Sequence, residues 1–453
     1  MTTQSKADRY AFIKKLLWLA FPIVFQNLIT TAVNSADVVM LGFISQDALS
    51  AGSLAGQIMY VLHLVFLGIS SGIIILSAQY WGKRDMRTIE NVIGIGMRFS
   101  IIISALFFVA ACFFPELLMR IYTNDSALIA AGIPYLRVVS FSYLFMGISQ
   151  VYLSAMRAVE RIKFATLTNS FALVLNILLN AVFIFGLFGA PKLGIMGVAL
   201  ATSIARLIEL LICLIDNMGE RIIHFRIETL WHRNRLLFSD FIHFALPALA
   251  NDVVWGLAFS TYSIIMGHLG SDVVAANAVA VVARNLGCTA CFGIAHAGGI
   301  LLGKTSGEGD LEKVKRDAAT FWRVSLTSGI LGGILLFFTR PIFHHMADLS
   351  ATAHSYLDVM LLINTYYVLG KALNTAFIGG IFRSGGDTKF GFLCDGINMW
   401  CYAVPLGFIA AFLLKLPPMW VYFLISTDEF SKLPFIFRHY RSYKWLRNIT
   451  REF

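Results

Sequence analysis

The sequence predicts an all-α integral membrane protein of twelve transmembrane helices, arranged as two parallel six-helix bundles. Three observations carry this: apolar runs long enough to cross a bilayer follow one another along the whole chain, basic residues gather in alternate loops, and the second half repeats the first at a constant offset. Of the 453 residues, 58% are hydrophobic and only 14% are charged, with a mean hydropathy of +0.73, which excludes a water-soluble globular domain.

The runs fall at about 15–43, 53–80, 91–114, 128–155, 163–187, 194–216, 238–269, 275–303, 317–340, 353–381, 390–414 and 416–437. Each reaches the roughly 20 residues that a helix needs to cross a hydrocarbon core of about 30 Å. Outer-membrane strands would alternate with a period of two, and these runs do not. The first is preceded by Lys6, Arg9, Lys14 and Lys15 and is too long for a signal-peptide core. No small-residue cleavage site follows it, so no processing is expected.

The formal charge of +10 does not form a stripe suited to nucleic acid. Loops on the side of the N-terminus hold Lys83, Arg84 and Arg87; Arg157, Arg161 and Lys163; Arg221, Arg226, Arg233 and Arg235; Lys304, Lys313, Lys315 and Arg316; Arg383 and Lys389. The opposite loops hold Arg120, Lys192, Arg340 and Lys415, one each. The positive-inside rule then places both termini in the cytoplasm, with the chain a multi-pass protein of the cell membrane. All six cysteines fall inside predicted spans. Cys288 and Cys291 have C-x-x-C spacing but lack a second pair, and read as small buried helix residues.

Pro22 and Pro247 are 225 residues apart, and the same offset pairs Gly42 with Gly267, Asp85 with Asp310 and Arg98 with Arg323. One inserted residue later, an offset of 226 pairs Pro115 with Pro341 and Arg157 with Arg383. Six is an even number of crossings, so the halves are related by an axis along the membrane normal and face each other across a central cleft. The expected divisions are 1–218, a cytoplasmic linker at 219–237 that reads as an interfacial helix, 238–437, and a basic tail at 438–453. Tyr440, Tyr443 and Trp445 among the tail's basic residues suit a lipid surface.

Ionisable residues at membrane depth are expensive, about 2.5–3.5 kcal/mol on insertion scales, and mark candidate sites. Asp37 lies inside the first span, while its repeat counterpart is Tyr262. The second half carries instead Asp252, His296, Lys371 and Asp395. Lys371 is placed to pair with Asp252 or Asp395, either as a fixed replacement for a bound cation or as a structural ion pair.

Taken together, Phe21-Pro22, Asn34-Ser-Ala-Asp37-Val-Val-Met-Leu-Gly42, Met156-Arg157-Ala158, Gly197-Val-Ala-Leu-Ala-Thr202 and Phe382-Arg383-Ser-Gly-Gly-Asp387-Thr388 resemble the multidrug and toxic compound extrusion (MATE) transporters. The resemblance covers essentially the whole chain. It implies a V-shaped cleft with alternating access and an antiporter that exports cationic or amphipathic compounds against entry of Na⁺ or H⁺, with no other cofactor. It also implies that Asp37 is the coupling acid, with Asn176, Asn180 and Thr202 as its neighbours. Spacing i, i+4 puts Asn176 and Asn180 on one helix face, where they either point at a shared ion or proton site or hydrogen-bond between helices. Some members carry an aspartate where this chain has Asn180, and its loss favours H⁺ over Na⁺.

Arg157 and Arg383, at equivalent cytoplasmic helix ends, read as head-group anchors or an inner gate. One chain supplies both bundles, so a monomer suffices, with a small-molecule substrate and the bilayer as partners. The alternative is a flippase for a lipid-linked saccharide, which would need a strongly cationic cavity; only Lys371, Arg284 and Arg206 are candidates for one. Enzyme motifs such as His-Glu-x-x-His are absent from the sequence.

Overall fold

The computed structural model describes residues 6–42, 44–219, 226–232, 234–344 and 349–452, without the side chains at 34–39, 42, 46, 47, 49, 227 and 344. The long helices are α1 (Lys6–Gly42), α2 (Gln46–Lys83), α3 (Met86–Phe113), the short α4 (Pro115–Tyr122), α5 (Ser126–Ala158), α6 (Ile162–Phe185), α7 (Ile195–Met218), α8 (Arg235–Gly267), α9 (Ser271–Gly307) and α10 (Leu311–His344). Next come α11 (Ala351–Asn374), extended by a wider helical turn over Thr375–Phe382, then α12 (Thr388–Ile397) and α13 (Val404–Phe408), which lie on one nearly continuous rod to Leu413. The chain ends in α14 (Pro418–Ile425), α15 (Asp428–Ser431) and α16 (Leu433–Arg441).

Ten helices among the described residues are long and apolar enough to cross a membrane. Extended α11 and the α14–α16 segment fall on the remaining two predicted spans, giving the twelve helical crossings expected. The repeat shows in the caps as well as in the spans. Asp85 accepts the Thr88 N–H at 3.0 Å at the start of α3, and its counterpart Asp310 accepts the Lys313 N–H at 2.9 Å at the start of α10. The residue before each has left-handed backbone, Arg84 at φ 60° and Gly309 at φ 86°.

The helices group into two compact units, Phe25–Ala245 in one, and residues up to Val24 with Leu246–Glu452 in the other. These units differ from the sequence division by the first turns of α1 and α8, and the change comes beside Pro22 and Pro247, each inside its helix. Within one unit, a methyl group on Gly293 of α9 would press on Val24 and sit 3.3 Å from the Ala20 carbonyl. Within the other, a methyl on Gly72 of α2 would lie 2.7 Å from Ala245, the repeat counterpart of Ala20. Small residues thus allow equivalent close helix contacts in both units.

Three expectations need correction. The last span, expected as one helix over 416–437, is divided near Thr427 and Lys432, where Asp428, Glu429 and Lys432 interrupt the apolar run. Backbone freed inside a membrane must be satisfied by protein. Here Asn398 Nδ2 donates to the Asp428 carbonyl at 2.7 Å and Asn374 Nδ2 to the Glu429 carbonyl at 2.6 Å. The described part of the linker is a short turn, Ile227–Leu230, rather than an interfacial helix. It docks on α3 because Gly94 has no side chain: a methyl there would meet the Thr229 carbonyl at 2.6 Å. Thirdly, Trp445 does not lie on lipid; it is fully buried, donates to the Tyr440 carbonyl at 3.0 Å, and packs its backbone against Gly385. The tail is held to that turn by His439, whose Nε2 is 2.7 Å from Asp387 and whose ring stacks on Phe390 at 3.7 Å.

Gly329, Gly332 and Gly333 line the approach of α10 to its neighbours. A methyl at Gly333 would meet the Thr365 carbonyl of α11 at 2.5 Å, so Gly333→Ala is expected to destabilise the protein by about 1–3 kcal/mol. Thermal unfolding in detergent checks this, and an unchanged midpoint would contradict the packing described.

Candidate functional site

In the first unit, three of the expected site residues form one chain of hydrogen bonds. Asn176 Nδ2 donates to Thr202 Oγ1 at 3.1 Å, and Asn180 Nδ2 lies 3.4 Å from Asn176 Oδ1. Thr202 in turn donates to the Val198 carbonyl of its own helix at 3.0 Å. Asn180 is fully buried and Asn176 nearly so. The fourth residue, Asp37, is on α1, and its side chain lies outside the described residues. Its level along the helix follows from the backbone. Gln26 of α1 donates to Asn169 of α6 at 2.9 Å, and these helices are the first and fifth spans, which run in the same direction. Since 37 − 26 = 180 − 169 = 11, positions 37 and 180 both lie about 16 Å beyond that bond.

The same unit holds two buried carboxylates that the sequence reading passed over, both on α7. Glu209 accepts Ser149 Oγ at 2.7 Å and pairs with Arg206 at 2.6 Å; Arg157 has Glu209 as its electrostatic partner. Asp216 is held by both terminal nitrogens of Arg161, each at 2.7 Å, and by the Tyr152 hydroxyl at 2.7 Å. Such forked, charge-assisted bonds fix α5 and the start of α6 against α7.

The second unit holds a larger network. Lys371 Nζ is 3.0 Å from Glu429 Oε1, which also accepts the Tyr367 hydroxyl at 3.2 Å; Glu429 Oε2 accepts Asn374 Nδ2 at 2.5 Å and lies 3.3 Å from Lys432 Nζ. Lys432 pairs with Asp395 at 2.8 Å, and Asn251 donates to Asp395 at 2.9 Å. Arg383 reaches Asp252 at 2.8 Å and Asn251 at 3.2 Å. The ammonium of Lys371 also stands 4.3 Å from the centre of the Trp255 ring.

This corrects the expected pairing. Lys371 is matched with Glu429, while Asp252 and Asp395 have their own cations, Arg383 and Lys432. Arg383 is thereby a buttress inside its unit. His296 is exposed, with Nδ1 2.9 Å from the Phe292 carbonyl one turn back. Lys371 and Arg206, two of the three cations available to a diphosphate site, are already paired with carboxylates.

The profile of the MatE family matches residues 22–182 and again 247–409. The two matches begin at Pro22 and Pro247, on the 225-residue repeat. The chain belongs to the MATE family of transporters. Among its relatives, a protein described as a probable multidrug resistance protein NorM from Mesorhizobium japonicum is 26% identical over 88% of this chain and 87% of its own length. The uncharacterized transporter YisQ of Bacillus subtilis is 25% identical over 97% and 96%. In fold, the MATE transporter VcmN of Vibrio cholerae in its bent form superposes with a TM-score of 0.86, covering 98% of this chain and all of that one at 15% identity.

The MATE repeat also locates what the sequence reading missed. Pro191 and Pro417 keep the 226-residue offset, which sets Thr202 against Asp428 and Arg206 against Lys432. The first half therefore carries an acid on its first span and a hydroxyl on its sixth, Asp37 and Thr202. The second half exchanges them as Tyr262 and Asp428, and the Tyr262 hydroxyl faces Asp428 Oδ2 at 3.4 Å.

Proposed function

We propose that this MATE transporter is a proton-coupled antiporter that exports cationic or amphipathic multidrug-type compounds across the cell membrane by alternating access, with both termini cytoplasmic. The observation that carries this reading is the hydrogen-bonded set Asn176, Asn180 and Thr202 at the level of position 37 on the parallel first span. Amides and a hydroxyl are neutral, so in this arrangement Asp37 is the group whose charge changes. Ionised, it favours a cationic substrate; protonated, it releases that substrate and removes the desolvation penalty of a carboxylate, a few kcal/mol. A bias of that size is enough to shift two conformations separated by a similar gap.

Asn180 in place of a second acid supports H⁺ over Na⁺, because a lone carboxylate among amides gives a metal ion less charge than a pair would. The names of the relatives, multidrug resistance proteins, support the substrate class. The test is efflux of a fluorescent cation from vesicles under a pH gradient and, separately, under a Na⁺ gradient. We expect the pH gradient to drive accumulation-independent efflux at least tenfold faster; a Na⁺ gradient that drives it alone would replace H⁺ in the mechanism.

A further inference from the structure

The second unit contains a small cavity, partly open to its surroundings, between α8, α9, α11 and the α14–α15 break. Four of its twelve lining residues are aromatic, Phe259, Tyr262, Tyr367 and Tyr422, and two are charged, Arg284 and Asp428. The network beside the cavity matches its charges one to one: Lys371 with Glu429, Lys432 with Asp395, Arg383 with Asp252. Arg284 and Asp428 are what remains. Arg284 has no carboxylate within ion-pair distance among the described residues and is instead stacked over Phe259 at 5.0 Å and Tyr367 at 5.2 Å. Asp428 is fully buried, its Oδ2 meets only the long Tyr262 bond, and its Oδ1 accepts no hydrogen bond among the described residues.

A buried carboxylate oxygen without a donor and a guanidinium without an anion are each expensive alone. They face one cavity and do not reach each other, so the group that would satisfy both must bring a donor to one and an acceptor to the other. Arg284 presents a planar fork suited to a carboxylate. Asp428 suits an ammonium, and the rings around them suit an aromatic body.

We propose that this cavity is a binding site for a compact aromatic zwitterion, its carboxylate on Arg284 and its ammonium on Asp428. This rests on the transport reading above for its purpose and extends the substrate class from cations to zwitterions. It does not depend on Asp37 or on any ion gradient.

Isothermal titration of the full chain in detergent tests it with two probe series, phenylalanine and 4-(aminomethyl)benzoate, each with its methyl ester, which keeps only the positive charge, and its N-acetyl derivative, which keeps only the negative one. At least one zwitterion is expected to bind tenfold or more tightly than both of its derivatives. Arg284→Gln should erase its advantage over the ester and leave ester binding within twofold; Asp428→Asn should erase its advantage over the N-acetyl compound. Zwitterions that bind no better than their derivatives, or an advantage that survives both exchanges, would overturn the proposal. If either neutral variant fails to give monodisperse protein, Arg284→Lys and Asp428→Glu move the charge without deleting it. A three- to tenfold loss for the zwitterion alone is then expected, and unchanged affinity overturns it. Because no gradient is involved, failure here with gradient-driven efflux of a simple cation intact would leave the antiport reading standing.

Discussion

Asp37→Asn is expected to abolish uphill efflux while leaving the fold and substrate entry intact. Asparagine fills the space of aspartate without its charge, and the hydrogen bonds among Asn176, Asn180 and Thr202 are made between neutral groups, so they persist. What disappears is the change of charge. A group that cannot ionise has the same affinity for a cation on either side of the transport cycle, and a ligand with no differential affinity shifts no equilibrium. Losing the few kcal/mol by which ionisation separates the two arrangements corresponds to a fall in gradient-driven efflux of about a hundredfold. A pH jump that releases prebound substrate from the parent protein should release none from the variant. Release at the parent rate would mean that another group carries the proton.

The second large effect is expected at the Lys371–Glu429 pair. Removing one partner of a buried pair strands the other charge and destabilises by about 3–5 kcal/mol, whereas removing both together is often close to neutral. Lys371→Met should therefore lower the thermal midpoint and transport sharply, since Glu429 is fully buried and would keep only Lys432 as a counter-charge, at 3.3 Å. Adding Glu429→Gln should restore both in part, with a coupling of about 0.5–3 kcal/mol. Adding Asp252→Asn or Asp395→Asn should not, because each would strand a further cation, Arg383 or Lys432. A rescue by Asp252→Asn in place of Glu429→Gln would contradict the pairing.

The contrast between these two sites shows what the sequence reveals. Spans, repeat and family are written in hydrophobicity, proline positions and ordered motifs, which are one-dimensional properties, and they were legible throughout. So was the group Asn176, Asn180 and Thr202: the resemblance to the MATE transporters implied all three, and i, i+4 spacing put the two asparagines on one helix face. The second-half network was legible only as a set of costly residues. Lys371 faced several carboxylates, and sequence distance does not say which one lies on the adjacent helix. Glu429 and Asp428 were overlooked because they sit in the C-terminal half of a span whose apolar average hides two acids and a lysine. The repeat offset holds the missing signal. It sets Asp428 against Thr202 and Tyr262 against Asp37, an exchange of acid and hydroxyl between two spans. Trp445 was misplaced for a similar reason: an aromatic among basic residues looks interfacial until Gly385 supplies a surface without side chains for it to pack on.

The claim that a single acid exchanges its proton for the substrate is tested most directly by counting protons. Calorimetric binding of a permanently charged cation to the purified protein, repeated in buffers of different ionisation enthalpy near neutral pH, gives the number released per substrate bound. The parent protein should release up to one and Asp37→Asn none. Binding by the parent with no proton released at any pH between about 5 and 9, or equal release from the variant, would contradict it.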